Sequence, residues 1–331
     1  MKRKREAWLI GLGALAVASL AVAPFLGTKL TALGAALHPG SSDVEASIFW
    51  TLRLPRVLTA FLAGAALAVS GMVFQAMFRN PLATESTLGV ASGASFGAAL
   101  QIRLGLTFTV LGISGSALFA FLGAALSMVL VFGLTGRRNR FSPSTMLLSG
   151  VAISFFFSSL ILMVQTTSDF HNSYKLLRWL MGSLSTVGFG SVVNLLPFTL
   201  IGTVFIAAFT KELNLLSTGD DLAASRGVCV QRTRRALFLT TSLTVGGVVS
   251  VCGPIGFVGM IAPHVARLII GNNHRYLLPA TLLLGGTFLI LCDTVARAVT
   301  SPGEMPVGAV TALLGGPFFL WLLVGGKKWI P

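Results

Sequence analysis

The sequence predicts an all-α polytopic membrane protein, with ten transmembrane helices in a single transmembrane domain over 1–331. Three observations predict it. Residues of the set AVILMFWYC make up 54% of the chain and charged residues only 10%, where a soluble domain carries roughly a quarter charged residues; mean hydropathy is +0.85. Apolar runs recur at lengths suited to the hydrocarbon core, which takes about 20 apolar residues per crossing. Basic residues gather in alternate connections between those runs. So little chain remains between the runs that no separate soluble catalytic domain fits.

Residues 1–23 combine a basic start (Lys2, Arg3, Lys4, Arg5), an apolar run and an Ala-Val-Ala ending. The pattern reads as a secretory signal peptide or as an uncleaved first helix. Both put the start of the chain in the cytoplasm, and the spans that follow favour the uncleaved helix. Further runs lie at about 57–78, 88–100, 108–134, 145–166, 191–209, 236–251, 255–270, 277–291 and 307–324. The stretch 88–134 must be two spans, because a single helix at about 1.5 Å per residue would reach roughly 70 Å, more than twice the bilayer core. The break is expected near Gln101 and Arg103.

Charge tests this topology. With both ends inside, the inner segments hold Lys2, Arg3, Lys4, Arg5, Arg79, Arg137, Arg138, Arg140, Lys211, Arg226, Arg232, Arg234, Arg235, Arg267, Arg275, Lys327 and Lys328, which is 17 of the 24 basic residues. Lys29, Arg53, Arg56, Arg103, Lys175, Arg178 and Arg297 fall outside. The bias follows the positive-inside rule. It also explains the net charge of +14 without nucleic acid, which is excluded as a partner because the charge follows connections and forms no stripe. Cys229, Cys252 and Cys292 have no metal or disulfide spacing and read as small buried residues.

Small residues recur at helix-packing spacing in Gly89, Gly93 and Gly97, in Gly64 with Ala68, and in Gly253, Gly256 and Gly259, where they let backbones approach. Pro254, Pro263 and Pro317 lie in or beside spans, and neighbouring helices must satisfy the carbonyls they free. Catalytic constellations are missing: no HExxH, GxSxG, GxxxxGK[ST] or GxGxxG occurs in a suitable context. His38, His171, His264 and His274 are dispersed. Asp293 is the acidic residue nearest the middle of a span, at the outer end of the ninth. Ion-coupled carriers usually hold intramembrane carboxylates or broken-helix ion sites, so an ion- or proton-coupled secondary transporter or a channel is the alternative reading, and energy from a partner the favoured one.

Two polar segments exceed what a connector needs. The largest inner segment, 211–235, reads KELNLLSTGDDLAASRGVCVQRTRR. Ser217 or Thr218 is expected to cap a short helix with Asp220 and Asp221 in its first turn and Gly227 at its end. Such a helix is either a docking knob for a cytoplasmic protein or a solvated interfacial helix. The second segment is an outer set, Arg53 and Arg56 before the second span and Arg297 after the ninth. Positive charge outside runs against the bias, which leaves an acidic external partner or snorkelling anchors.

At these residues the sequence resembles the FecCD family of permease subunits of type II ABC importers for ferric siderophores, haem and vitamin B12. The resemblance is carried by RLPRVLTAFLAGAALAVSG (53–71), RNPLATESTLGVASGASFG (79–97), GDDLAASRGV (219–228), GPIGFVGMIAPHVARLIIGNNHRYLLP (253–279) and EMPVGAVTALLGGPFFLWLL (304–323), in the family's order. It implies the type II importer permease fold and, as partners, a second copy in a homodimer or close heterodimer, two cytoplasmic ATPase subunits, a periplasmic or lipid-anchored binding protein, and membrane lipid. No cofactor is implied for this chain; ATP and Mg belong to the ATPase. The segment Gly219, Asp220, Asp221, Leu222, Ala223, Ala224, Ser225, Arg226, Gly227 and Val228 would be the coupling helix. Asn80 and Leu82, with Ser142 and Ser144, would form the cytoplasmic gate, and Arg53, Arg56 and Arg297 would meet acidic side chains of the binding protein. Pro143 between the gate serines departs from the family, where a small polar residue is more usual, and 166–185 is individual in detail.

The resulting expectation is the permease subunit of an ATP-driven importer in the bacterial inner membrane, without enzymatic chemistry of its own. It would move a metal chelate or corrinoid by alternating access. A wide, weakly binding path agrees with the scarcity of charge in the spans. A channel would need a charge ring or selectivity loop and a membrane enzyme convergent catalytic groups, and neither is present in the sequence. For the substrate, His171 and His38 are candidate contacts to a haem iron, and Tyr174, Lys175 and Arg178 to siderophore carboxylates.

Overall fold

In hydrocarbon a backbone satisfies its amides best within its own helix, and the apolar runs obey. The computed structural model describes residues 2–27, 44–110, 112–136, 142–185, 187–299 and 305–325. In chain order the helices are α1 (Lys2–Val22), α2 (Val44–Ile48), α3 (Leu54–Phe78), α4 (Val90–Leu104), α5 (Gly115–Gly136), α6 (Pro143–Thr166), α7 (Phe170–Leu180), α8 (Gly190–Ala208), α9 (Thr210–Thr218), α10 (Asp220–Ser225), α11 (Val230–Cys252), α12 (Val258–Ile270), α13 (His274–Val299) and α14 (Val307–Gly325). A hairpin of two short strands, β1 (Thr109–Val110) and β2 (Ile113–Ser114), precedes α5. The chain is all-α apart from this hairpin.

Each of the ten apolar runs finds a helix. Among the described residues seven helical segments are long and apolar enough to cross a membrane, and Val258–Ile270 and Val307–Leu322 are shorter apolar helices. The division of 88–134 into two helices holds, but α4 continues through Gln101 and Arg103 and stops at Gly105, whose φ of 65° ends the helix in the left-handed region. Thr109–Val110 and Ile113–Ser114 form the strands of the hairpin where a helix was expected. Lys29, Arg137, Arg138, Arg140, Lys327 and Lys328, used in the topology argument, lie outside the described residues.

Helix α3 is the hub. It packs against α13, α12, α8 and α11, and nearly its whole length is buried, from Pro55 to Phe78. Small residues permit that crowding: a Cβ on Gly71 would overlap the Gly259 carbonyl of α12, and one on Gly64 the Gly285 carbonyl of α13. The same device joins α4 to α5, where Gly93 and Gly123 face each other backbone to backbone. Helix α1 packs along α13. Many side chains of α6, α8 and α14 instead point outward, among them Phe155, Met163, Ile201 and Leu313, which is apolar surface suited to lipid or to a second subunit.

Candidate functional site

The segment 211–235 is three elements. Helix α9 ends at Thr218, Gly219 with φ 144° and ψ 151° turns the chain, and α10 begins at Asp220. The expected cap is corrected: Ser217 and Thr218 belong to α9, and their hydroxyls donate back to the carbonyls of Asn214 and Leu215. Gly219 takes the N-cap position because its backbone conformation is open to glycine. Asp220 and Asp221 do occupy the first turn. Their roles differ. Asp220 accepts from Arg234 of α11 at 2.8 Å, and Arg234 is fully buried, so this pair braces α10 against the membrane helices. Ala223 is buried beneath α10, while Asp221, Leu222, Ala224, Ser225 and Arg226 are exposed. Leu222, 45% exposed on a polar helix, is a knob without a socket among the described residues. Gly227 closes the helix with φ 84°, followed by Val228.

The connection 79–89 carries the other inner residues. The Asn80 side chain accepts from the Leu82 amide at 2.9 Å and its carbonyl from the Ala83 amide, which folds NPLA into a tight turn after the left-handed Arg79 (φ 49°). This connection lies against α6, where Ser154 donates to the Ser86 carbonyl and Gly150 abuts Thr87. Ser142 is the N-cap of α6: its Oγ accepts from the Thr145 amide at 3.3 Å and lies 2.7 Å from Thr145 Oγ1. Pro143 is the first helical residue, a position that suits proline because its missing N–H would have no partner there. The departure from the family is thus a sound helix start. Ser144 Oγ lies 3.3 Å from Ser142 Oγ.

The three outer arginines converge on one place. Arg56 Nε donates to Asp293 at 2.9 and 3.2 Å, and Arg297 Nε donates to the same carboxylate at 3.0 Å. Arg297 also donates to the carbonyls of Leu26 and Ala23, and Arg53 to those of Pro24 and Phe25. Arg53 and Arg297 therefore donate to the carbonyls of the turn after α1. Within the chain the expectation of three outward charges is corrected for two: Arg56 and Arg297 are 7% and 6% exposed, and Asp293 is 0% exposed. Arg53, half-buried, is the member that reaches the surface.

Helix α7 gathers the remaining candidates. His171, Tyr174, Lys175 and Arg178 are all exposed and their spacing puts them on one face, while Leu176 is buried on the other with Ala99 and Ile161. His38 lies outside the described residues. Among the described residues no group of three or more His, Cys, Asp or Glu is placed to hold a metal ion. Sequence reasoning passed over Glu85. Its side chain is buried in the 79–89 connection against Gly259, Oε2 has no partner, and burial pushes the carboxyl up to about 7.

A family model described as the FecCD transport family matches residues 11–325. The chain belongs to the FecCD transport family. Among the relatives of this FecCD permease, the cobalamin import system permease protein BtuC of Halobacterium salinarum is 40% identical over 88% of this chain and 77% of its own. The hemin transport system permease protein HmuU of Yersinia pestis is 36% identical over 88% of this chain and 87% of its own. A solved metal-chelate type ABC transporter in an inward-facing conformation superposes with a TM-score of 0.87 at 32% identity, covering 97% of this chain and 99% of that one. The protein is therefore an ABC transporter permease, a membrane transport subunit with the all-α fold that the sequence predicts.

Proposed function

We propose that this FecCD permease is the membrane half of an ATP-driven importer that carries a metal chelate or corrinoid inward across the bacterial inner membrane. Two copies would form the path, two ATPase subunits would drive it, and an external binding protein would deliver the cargo. The observation that carries the reading is α10, a short helix braced from behind by the Asp220–Arg234 pair with Leu222 exposed at its front. A rigid knob of this kind transmits a push. Movement of an ATPase beneath it would tilt α9 and α11, whose ends flank it in the chain. With α10 inside, ten crossings leave both ends of the chain inside and put the α7 face and Arg53 outside. There α7 would line the entrance for the chelate, and Arg53 would meet a carboxylate of the binding protein; Arg56 and Arg297 join only if Asp293 releases them.

The gate is read as Asn80 and Leu82 on one element and Ser142 and Ser144 on another, each meeting its symmetry mate in the dimer. Single cysteines at Leu82 and at Ser144 test both the dimer and the gate. Disulfide crosslinks between copies should form in one nucleotide state of the complete transporter and weaken in another. Active transporter without a crosslink in any state would remove these residues from the gate.

A further inference from the structure

A cavity of about 860 Å³ opens beside the coupling elements, at the end of the molecule shared by α3, α9, α12 and α13. Its lining is cationic and amide-rich. Arg79 and Arg267 contribute guanidinium groups, His264 and His274 imidazoles, and no Asp or Glu is among its lining residues. Arg5, stacked over the Tyr276 ring at 5.6 Å, and exposed Arg275 add positive charge nearby. The walls are held in place by bonds between helices. Gln75 of α3 donates to the Gly259 carbonyl and accepts from Arg267, and Asn214 of α9 accepts from the His274 amide at 2.9 Å and lies 2.8 Å from its Nδ1.

Two imidazoles of this wall each hold an unpaired ring nitrogen. His264 and His274 are 6% and 3% exposed, both line the cavity, and the Nε2 of each is buried without a hydrogen-bond partner. Buried polar atoms left unpaired cost free energy, which a ligand group can recover once the ring turns to meet it. With Asn214 Oδ1 accepting from Nδ1–H, the neutral His274 ring presents Nε2 as an acceptor. The set therefore calls for an anion that also carries hydroxyl groups: guanidinium forks take phosphate oxygens, while imidazole and amide groups take hydroxyls.

We propose that this cavity binds a polyol phosphate, a phosphate flanked by hydroxyl groups. Two sources share that chemistry. One is the headgroup of phosphatidylglycerol, since basic pockets between helices on the inner side of a membrane collect anionic headgroups. The other is a soluble glycerol phosphate. Asn80 lines one side of the cavity and Ser217 and Thr218 another, so the bound phosphate would join the proposed gate turn to the residues that lead into α10.

The test uses the full chain and does not require transport. Purified protein is titrated calorimetrically with sn-glycerol 3-phosphate, and native mass spectrometry compares retention of dioleoyl phosphatidylglycerol with dioleoyl phosphatidylcholine. The expected result is one site per chain for at least one phosphate probe, and no matching retention of phosphatidylcholine. Arg79→Gln should weaken it about tenfold, the scale of one charge-assisted hydrogen bond. Asn272→Asp, at the exposed rim, should weaken it similarly by adding a carboxylate, and serves if Arg79→Gln does not fold. Binding of the lipid alone assigns the headgroup, and binding of glycerol phosphate alone assigns the soluble source. Binding of neither probe, or undiminished binding by the folded variants, overturns the proposal. If neither probe binds and the variants instead release the ATPase, the cavity receives an acidic protein segment, and the proposal fails while the coupling assignment stands.

Discussion

Asp293 shows what a single residue does for this fold and how far the sequence disclosed it. Arg297 follows it by four positions on a helix, a spacing that by itself puts the two on one face. Arg56 is 237 positions away, so only the packing of α3 on α13 brings it in, and the sequence offered no sign that one carboxylate neutralises two arginines. Removing the carboxylate of a buried ionic group leaves the opposite charges uncompensated. Asp293→Asn is expected to cost about 3–5 kcal/mol, seen as a large drop in the thermal midpoint of the purified protein; an unchanged midpoint would mean the guanidinium groups are solvated. Glu85 was missed for a related reason, because a connection between spans normally reads as surface. Its carboxyl, raised to about 7 from an ordinary 4.5, keeps its proton longer in the folded than in the unfolded chain. Stability is then fully present below the ordinary value and is lost as pH rises through about 7. Glu85→Gln should flatten that fall and be the more stable protein above about pH 8. Identical pH profiles would show that the carboxyl is not held neutral.

At the scale of elements, the short helix α10 was legible because Asp220, Asp221 and Gly227 are strong start and stop signals. Its cap was not, since Ser217 and Thr218 have the chemistry of a cap but are drawn into α9. The amphipathic α7 was not read as a helix, 166–185 being noted only as individual in detail: it is short, and its one buried anchor, Leu176, is visible only after packing. The hairpin before α5 escaped because two-residue strands leave no alternation to read. The brace changes how α10 should be probed. Asp220→Ala removes a partner of a buried arginine and should lower stability, whereas the three changes of a triple variant, Asp221→Ala, Leu222→Ala and Arg226→Ala, should each change unfolding free energy by no more than about 0.5 kcal/mol, the usual range for surface changes. That triple variant should lose retention of the ATPase on co-purification. Full retention would remove α10 from the interface.

For the whole molecule, composition and charge were enough to predict an all-α membrane protein, because hydrocarbon leaves few ways to bury a backbone. The long motifs around 53–97 and 253–279 disclosed the family. Those motifs hold Gly64, Gly71 and Gly259, through which α3 meets α12 and α13 at backbone distance, so the most recognisable stretches coincide with dense packing. What stayed hidden was the pairing of residues far apart in sequence, which decides whether an arginine is buried or presented. The central claim is that this permease moves cargo only when an ATPase drives it. The most direct measurement is uptake of labelled haem, cobalamin and ferric siderophores into proteoliposomes holding the permease, with the ATPase and binding protein supplied or withheld. One of these cargoes should accumulate only with ATP, the ATPase and the binding protein all present; accumulation by the permease alone, or driven by an ion gradient without ATP, would contradict the account.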